Sequence, residues 1–126
     1  MDISDDNFLT RRIIGLAMRV HTRFGPGLLE NAYEHCLCHE FDQNEIVYAR
    51  QVALPLNYEG ALLNCGYRAD IIVNNNVILE LKSVEHILPL HEAQLLTYLR
   101  LSRCRIGLLL NFNTLSLKDG IRRRVH

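Results

Sequence analysis

No stretch of this sequence approaches the ~20 apolar residues that a membrane-spanning helix needs. Its acidic opening, Met1 to Asp6, leads into no signal-type apolar core. A cytoplasmic, membrane-free protein is the expectation. Net charge is also lacking, because 14 basic residues balance 14 acidic ones, whereas a nucleic-acid binder usually carries a basic excess. Internal repeats, low-complexity stretches and linker-like segments are absent. The 126 residues are therefore expected to form one domain, residues 1–126, around one core. Cysteine is sparse: Cys36, Cys38, Cys65 and Cys104 are too few and too scattered for a disulfide framework. Cys36 and Cys38, with His35 and His39 beside them, suggest zinc. On a helix, however, positions two apart point about 200° apart, so the two thiols do not easily share an ion.

What is present is ordinary for a globular protein, with 48% hydrophobic and 22% charged residues. Only Lys82 and Lys118 are lysines; the other cations are arginines, which suit bidentate phosphate contacts. The run Arg122 to Arg124 fits either that use or a solvated tail. Leu9, Ile13, Leu16, Ala17, Val20 and Phe24 form a helical stripe, with Ser4, Asp5 and Asp6 as its N-cap and acidic first turn. Phe24-Gly25-Pro26-Gly27 ends it. A second helix is expected from about Leu28 to Phe41. Alternation at Val52, Leu54, Leu56 and Tyr58, interrupted by Pro55, predicts an edge strand. Tyr67 to Val73 and Val77 to Lys82 read as strands joined by Asn74-Asn75-Asn76, since Asn tolerates positive φ. Pro89 opens a third helix, Leu90 to Leu101, and Cys104 to Leu110 reads as a strand buried on both faces. The order α-α-β-β-β-α-β implies an α/β fold with a sheet flanked by helices.

A hairpin centred on Asn75 puts Asp70 opposite Glu80 and Arg68 opposite Lys82. Glu80 and Lys82, two apart on a strand, share a face, and the pairing brings Asp70 to it. Two carboxylates this close repel unless a proton or cation lies between them, which a divalent metal resolves. A one-residue slip in register would destroy the constellation. An acid two residues before a lysine is a weak match alone, and cross-hairpin ion pairs are common. Glu80 and Lys82 nonetheless sit in Val77-Ile78-Leu79-Glu80-Leu81-Lys82, where a purely structural strand would more simply stay uncharged. Glu30 falls between Leu37 and Phe41 on the wheel of the second helix, and a carboxylate in an apolar stripe needs a partner. Glu40 is its rival there. Gln94 and Tyr98, one turn apart with His91 beside them, form a polar patch on a Leu-rich helix, and a satisfied helix edge explains that patch as simply.

Gly27-Leu28-Leu29-Glu30-Asn31-Ala32-Tyr33 resembles the GxxExxY pattern that names a group of small bacterial and archaeal proteins. The resemblance continues through Tyr67-Arg68-Ala69-Asp70, Glu80-Leu81-Lys82, Gln94 to Tyr98, Leu110 to Asn113 and Leu117 to Ile121. That group is assigned to the PD-(D/E)xK nuclease superfamily, which implies a restriction-endonuclease-like core with a mixed central sheet. By resemblance, Asp70 is the metal-binding Asp, Glu80 and Lys82 are the Glu and Lys of the ExK element, and Glu30 is the helix-borne acid. Gln94 and Tyr98 correspond to the Gln and Tyr of the exonuclease-like branch. Ala69 stands where a Pro often precedes the Asp.

The activity so implied is a Mg²⁺- or Mn²⁺-dependent phosphodiesterase acting on nucleic acid, DNA being favoured, and leaving 5′-phosphate and 3′-hydroxyl ends. Asp70, Glu80 and the Leu81 carbonyl would hold the metal, with Glu30 adding a direct or water-mediated contact. The ion would acidify a water and offset charge in the transition state. Lys82 would orient that water or stabilise the charge, while Gln94 and Tyr98 position substrate or ligands. A homodimer is compatible with this reading. The alternative is a non-catalytic module that uses the nuclease fold to bind nucleic acid or a protein, since fold does not guarantee activity.

Overall fold

The computed structural model describes residues 3–126, with side chains from residue 6 onward. Helix α1 (Ile3–Phe24) turns Ile13, Ala17 and Val20 into the core, following the expected stripe. The side chains of Ser4 and Asp5, expected as caps, lie outside the described residues. Asp6 does not cap α1 but sits inside it. Its Oδ1 accepts from Asn76 Nδ2 at 2.6 Å, and its Oδ2 lies 3.5 Å from Arg105 Nη1. The buried Asp6 carboxylate thus fastens α1 to the asparagine turn. Gly25 and Gly27 take φ values of 64° and 116° in the break after α1, a region that glycine enters without strain. Helix α2 (Glu30–Gln43) starts two residues later than expected, because Leu29 is still extended.

Five strands form the central sheet: β1 (Tyr48–Ala53), β4 (Arg68–Val73), β5 (Val77–Lys82), β6 (Ile106–Asn111) and β7 (Ile121–Val125), in that spatial order. Asn74 and Asn75 adopt φ of 52° and 55°. The hairpin they close pairs Val73 with Val77, Ile72 with Ile78 and Ile71 with Leu79, the register expected from a turn centred on Asn75. Helix α3 (Pro89–Leu101) makes the crossover to β6, which runs parallel to β5 with Leu79 beside Leu108. A mixed sheet needs such a connection, since parallel neighbours cannot be joined by a tight turn.

Two segments differ from expectation. The strand read across Pro55 is divided: β1 ends at Ala53, and β2 (Leu56–Tyr58) pairs only with β3 (Ala61–Leu63) in a separate hairpin. Pro55 has no N–H for a ladder, and the Leu54 N–H turns to the Tyr67 carbonyl at 2.9 Å. The arginine run is no solvated tail. It lies in β7, where Arg124 pairs with Glu92 and Arg123 Nη2 donates to Asn7 Oδ1 at 3.2 Å. β7 is entered from a 3-10 turn (Leu117–Gly120), packed so closely that a Cβ on Gly120 would lie 2.2 Å from the Asn111 carbonyl oxygen.

Strand alternation divides the core. Ile71, Val73, Val77, Leu79 and Leu81 face α1 and α2, while Ile72 and Ile78 face Leu95, Tyr98 and Leu99 of α3. With both faces covered, β6 is buried along its whole length, which is why it reads as one apolar run. The architecture is a mixed five-stranded sheet between helices, a restriction-endonuclease-like fold. Among the described residues no helix is long and apolar enough to cross a membrane.

Candidate active site

The β4–β5 ladder ends at Ile71 and Leu79. One residue further, side chains replace the main chain. The Asp70 N–H donates to Glu80 Oε2 at 2.8 Å, and the Leu81 N–H donates to Asp70 Oδ2 at 2.9 Å. These crossed bonds hold both carboxylates at a fork between the strands. Among the described residues, Asp70 Oδ1 and Glu80 Oε1 accept no hydrogen bond, which leaves one lone-pair-bearing oxygen on each. On a strand a residue's N–H and C=O point to the same side, so the Leu81 carbonyl faces the β4 side of β5.

Glu80 is 5% exposed. Burial, followed by the neighbouring Asp70 charge, pushes its carboxyl from 4.5 up to about 8. Burial also raises Asp70. The Leu81 N–H and Lys82 oppose that rise, while Glu34 and Glu30 add to it. Carboxylates packed this tightly favour a proton or a cation between them. Lys82, half-buried at the end of β5, draws both carboxyls down without an ion pair to either.

Glu30 does not lie in the buried stripe. As the first residue of α2 it precedes the turns that the core covers, and it is exposed, with Oε2 accepting from the Ser83 N–H at 3.1 Å. It stands at the rim, one residue beyond Lys82. Tyr33 shapes this approach: its hydroxyl donates to the Gly25 carbonyl and accepts from the Leu28 N–H at 3.1 Å, while its ring stacks on Phe112 at 4.4 Å. Glu40, the rival, points elsewhere and meets Arg19 at 3.5 Å.

The acid that sequence reasoning missed is Glu34, 4% exposed. Its Oε2 accepts from Arg50 Nη2 at 2.6 Å and Nε at 2.9 Å, and Gln51 Nε2 reaches it at 3.1 Å. Its charge raises both Asp70 and Glu80. The signal was available, because Glu34 lies between Phe41 and Cys38 on the α2 wheel, in the same apolar arc as Glu30 but one turn further into the helix. The β1–β4 pairing skips Gln51 and Asp70, and Gln51 takes φ 50° there. A non-glycine residue at such a φ is local strain of the kind that collects at functional sites.

From α3, Gln94 Nε2 donates to the Tyr98 hydroxyl at 3.0 Å. Burial raises the Tyr98 phenol, and the Glu80 and Asp70 charges raise it further, so the phenol lies within the field of the carboxylate pair. His91, three residues before Gln94, caps the helix, its Nδ1 accepting from the Leu88 N–H at 3.0 Å. Asn111, also unexpected, bonds both polar groups of Val84 through its amide, at 3.1 and 2.9 Å, and so fixes the chain leaving β5.

Among the described residues no three His, Cys, Asp or Glu side chains group to hold a metal ion. Two carboxylate oxygens and a backbone carbonyl are nevertheless a hard-oxygen set of the kind that suits Mg²⁺ or Mn²⁺, with waters completing the shell. The donors fit the ion. Soft ligands are elsewhere: half-buried Cys36 lines an open groove of about 780 Å³ between α1 and α2 with His35 and His39, whereas Cys38 is buried in the core. The two thiols therefore face apart.

A mixed sheet between helices, with one buried and one half-buried carboxylate at a strand fork and a lysine beside them, has the layout of a nuclease-type domain. The PD-(D/E)XK nuclease superfamily matches residues 7–124, and the chain belongs to it. Members of that superfamily are generally nucleases and usually use divalent metal ions. None of the curated proteins and none of the solved structures matches the chain.

Proposed function

We propose that this chain is a Mg²⁺- or Mn²⁺-dependent nuclease of the GxxExxY group that hydrolyses phosphodiester bonds, with DNA as the first substrate to test. The observation that carries the reading is the crossed pair Asp70–Glu80, in which each carboxylate is anchored through one oxygen and free through the other. Asp70, Glu80 and the Leu81 carbonyl would hold the ion, and Glu30 would reach its outer shell from the rim. A cation bound there would supply an acidified water and offset negative charge on the reacting phosphate. Lys82 directs its ammonium at the attacked phosphate, orienting the nucleophile and stabilising developing charge. Tyr98, held by Gln94, would position the substrate from the α3 side. Glu34, ion-paired with Arg50 and bonded to Gln51, ties α2 to β1.

Purified protein is assayed on single-stranded DNA, duplex DNA and RNA with each metal, beside Lys82→Ala. Metal-dependent cleavage yielding 5′-phosphates is expected, with the variant at least about a hundredfold slower yet folded and still binding metal. If the wild type cuts none of the three substrates, a non-catalytic nuclease-fold module becomes the better reading.

A further inference from the structure

The chain leaves the sheet at Ala53 and re-enters it at Arg68, residues that pair with one another two positions from Asp70. The segment built between them, the β2–β3 hairpin and Tyr67, holds no Lys, Arg or His, so its chemistry does not suit phosphate. It exposes apolar and aromatic surface instead: Tyr58 is 62% exposed, Leu62 70% and Tyr67 38%. Tyr67 is held from two sides. Its carbonyl accepts from the Leu54 N–H at 2.9 Å, and its ring meets Tyr98 edge-on with centroids 6.1 Å apart. Tyr67 also lies three residues before Asp70 in the chain and meets Tyr98, whose phenol feels the Asp70 and Glu80 charges, so an accessible aromatic ring stands near the site. Arg68 begins β4 and Lys82 ends β5, the two strands that carry the carboxylate pair.

We infer that Tyr67, flanked by the β2–β3 hairpin, is a stacking platform for an unpaired base next to the scissile phosphate. The substrate is then single-stranded nucleic acid or a frayed duplex end. In a closed duplex the base faces are occupied by their neighbours, so only an unpaired base can use the ring. Stacking on an aromatic side chain is sequence-tolerant, because every base has a π-face. This inference rests on the nuclease reading for the position of the phosphate.

The test measures binding without cleavage. A short oligonucleotide carrying 2-aminopurine is titrated in Ca²⁺, single-stranded and as a blunt duplex, with wild type, Tyr67→Ala and Tyr67→Phe. Wild type is expected to bind the single strand about tenfold or more tightly than the duplex and to quench the probe. Tyr67→Ala loses about tenfold in affinity together with the quenching, and Tyr67→Phe keeps both. Unchanged binding by Tyr67→Ala, with unchanged melting temperature, overturns the inference, as does a wild-type preference for duplex. Cleavage of the same oligonucleotide with Mn²⁺ separates the two readings. Cutting that Tyr67→Ala does not alter defeats the platform alone, whereas quenched binding without cutting supports the platform and defeats the nuclease. Wild type that binds no oligonucleotide but dimerises through Leu62 and Leu63 would make the hairpin a protein interface and overturn the inference.

Discussion

Replacing Glu80 by Gln should make the protein more stable at pH 8 while abolishing its proposed activity. The reason is the carboxyl raised from 4.5 to about 8 by burial and by Asp70. Below pH 4.5 the group is protonated in folded and unfolded chains alike and imposes no cost. Between 4.5 and about 8 the unfolded chain gives up its proton while the folded one keeps it, so stability falls as pH rises. Above about pH 8 both are ionised and the loss is complete. At about 1.4 kcal/mol for each tenfold change in proton affinity, the ceiling is about 5 kcal/mol. Asp70 titrates with Glu80, and local relaxation reduces the cost, so a loss of about 2 to 5 kcal/mol is expected.

Glu80→Gln carries no such charge, and its amide oxygen can still accept from the Asp70 N–H. Urea unfolding followed by circular dichroism at pH 5, 6.5 and 8 tests this. Subtracting the variant's curve from the wild type's removes the contribution of the histidines. The wild type should lose stability across the range relative to Glu80→Gln. Mg²⁺ or Mn²⁺ at pH 8 should restore part of that loss in the wild type and little in the variant, because a cation that binds only the folded, ionised pair stabilises it by mass action. A difference curve flat from pH 5 to pH 8, or a variant less stable than wild type at pH 8, refutes the reasoning.

The elements that were legible in the sequence are those in which local and tertiary preferences agree. Three consecutive asparagines can turn at positive φ, so the β4–β5 register followed from residues alone, and with it the proximity of Asp70 and Glu80. The buried run of β6 and the Pro89 helix start were equally direct. What the sequence did not disclose depends on distant partners. Asp6 resembles a cap until Asn76 and Arg105 arrive from across the fold. Arg122 to Arg124 resemble a tail until β6 offers an edge and Glu92 a counter-ion. Glu30 was placed by an ideal helical wheel, which ignores the fact that the first turn of a helix can lie outside the core. The same wheel held Glu34, but its role depended on Arg50 and Gln51, sixteen and seventeen residues away. The fork was invisible for a different reason: pairing rules place Asp70 opposite Glu80 but do not say that side chains take over the ladder.

Gly120→Ala should cost more than about 2 kcal/mol in a thermal-shift measurement, since its Cβ would meet a backbone oxygen that cannot move aside. Tyr33→Phe should cost about 1 to 2 kcal/mol by losing the bonds to Gly25 and Leu28, and it should speed hydrogen exchange at Ser83, whose N–H is held by Glu30 at the start of α2, just after the loop that Tyr33 fastens. The fork itself is tested by comparing Asp70→Asn with Asp70→Ala. Both remove the charge that repels Glu80, so that gain cancels between them. Asn retains an oxygen able to accept from the Leu81 N–H, whereas Ala leaves that donor without a partner at a residue only 1% exposed. An orphaned buried donor costs about 1 to 3 kcal/mol, so Asp70→Ala should be less stable than Asp70→Asn by that amount, with faster exchange at the Leu81 amide in Ala alone. Equal stability would mean that the Asp70 carboxylate serves the site and not the strand. If the difference is found, activity lost in Asp70→Ala combines chemistry with a loosened fork, and only the Asn and Gln variants isolate the contribution of the two carboxylate charges.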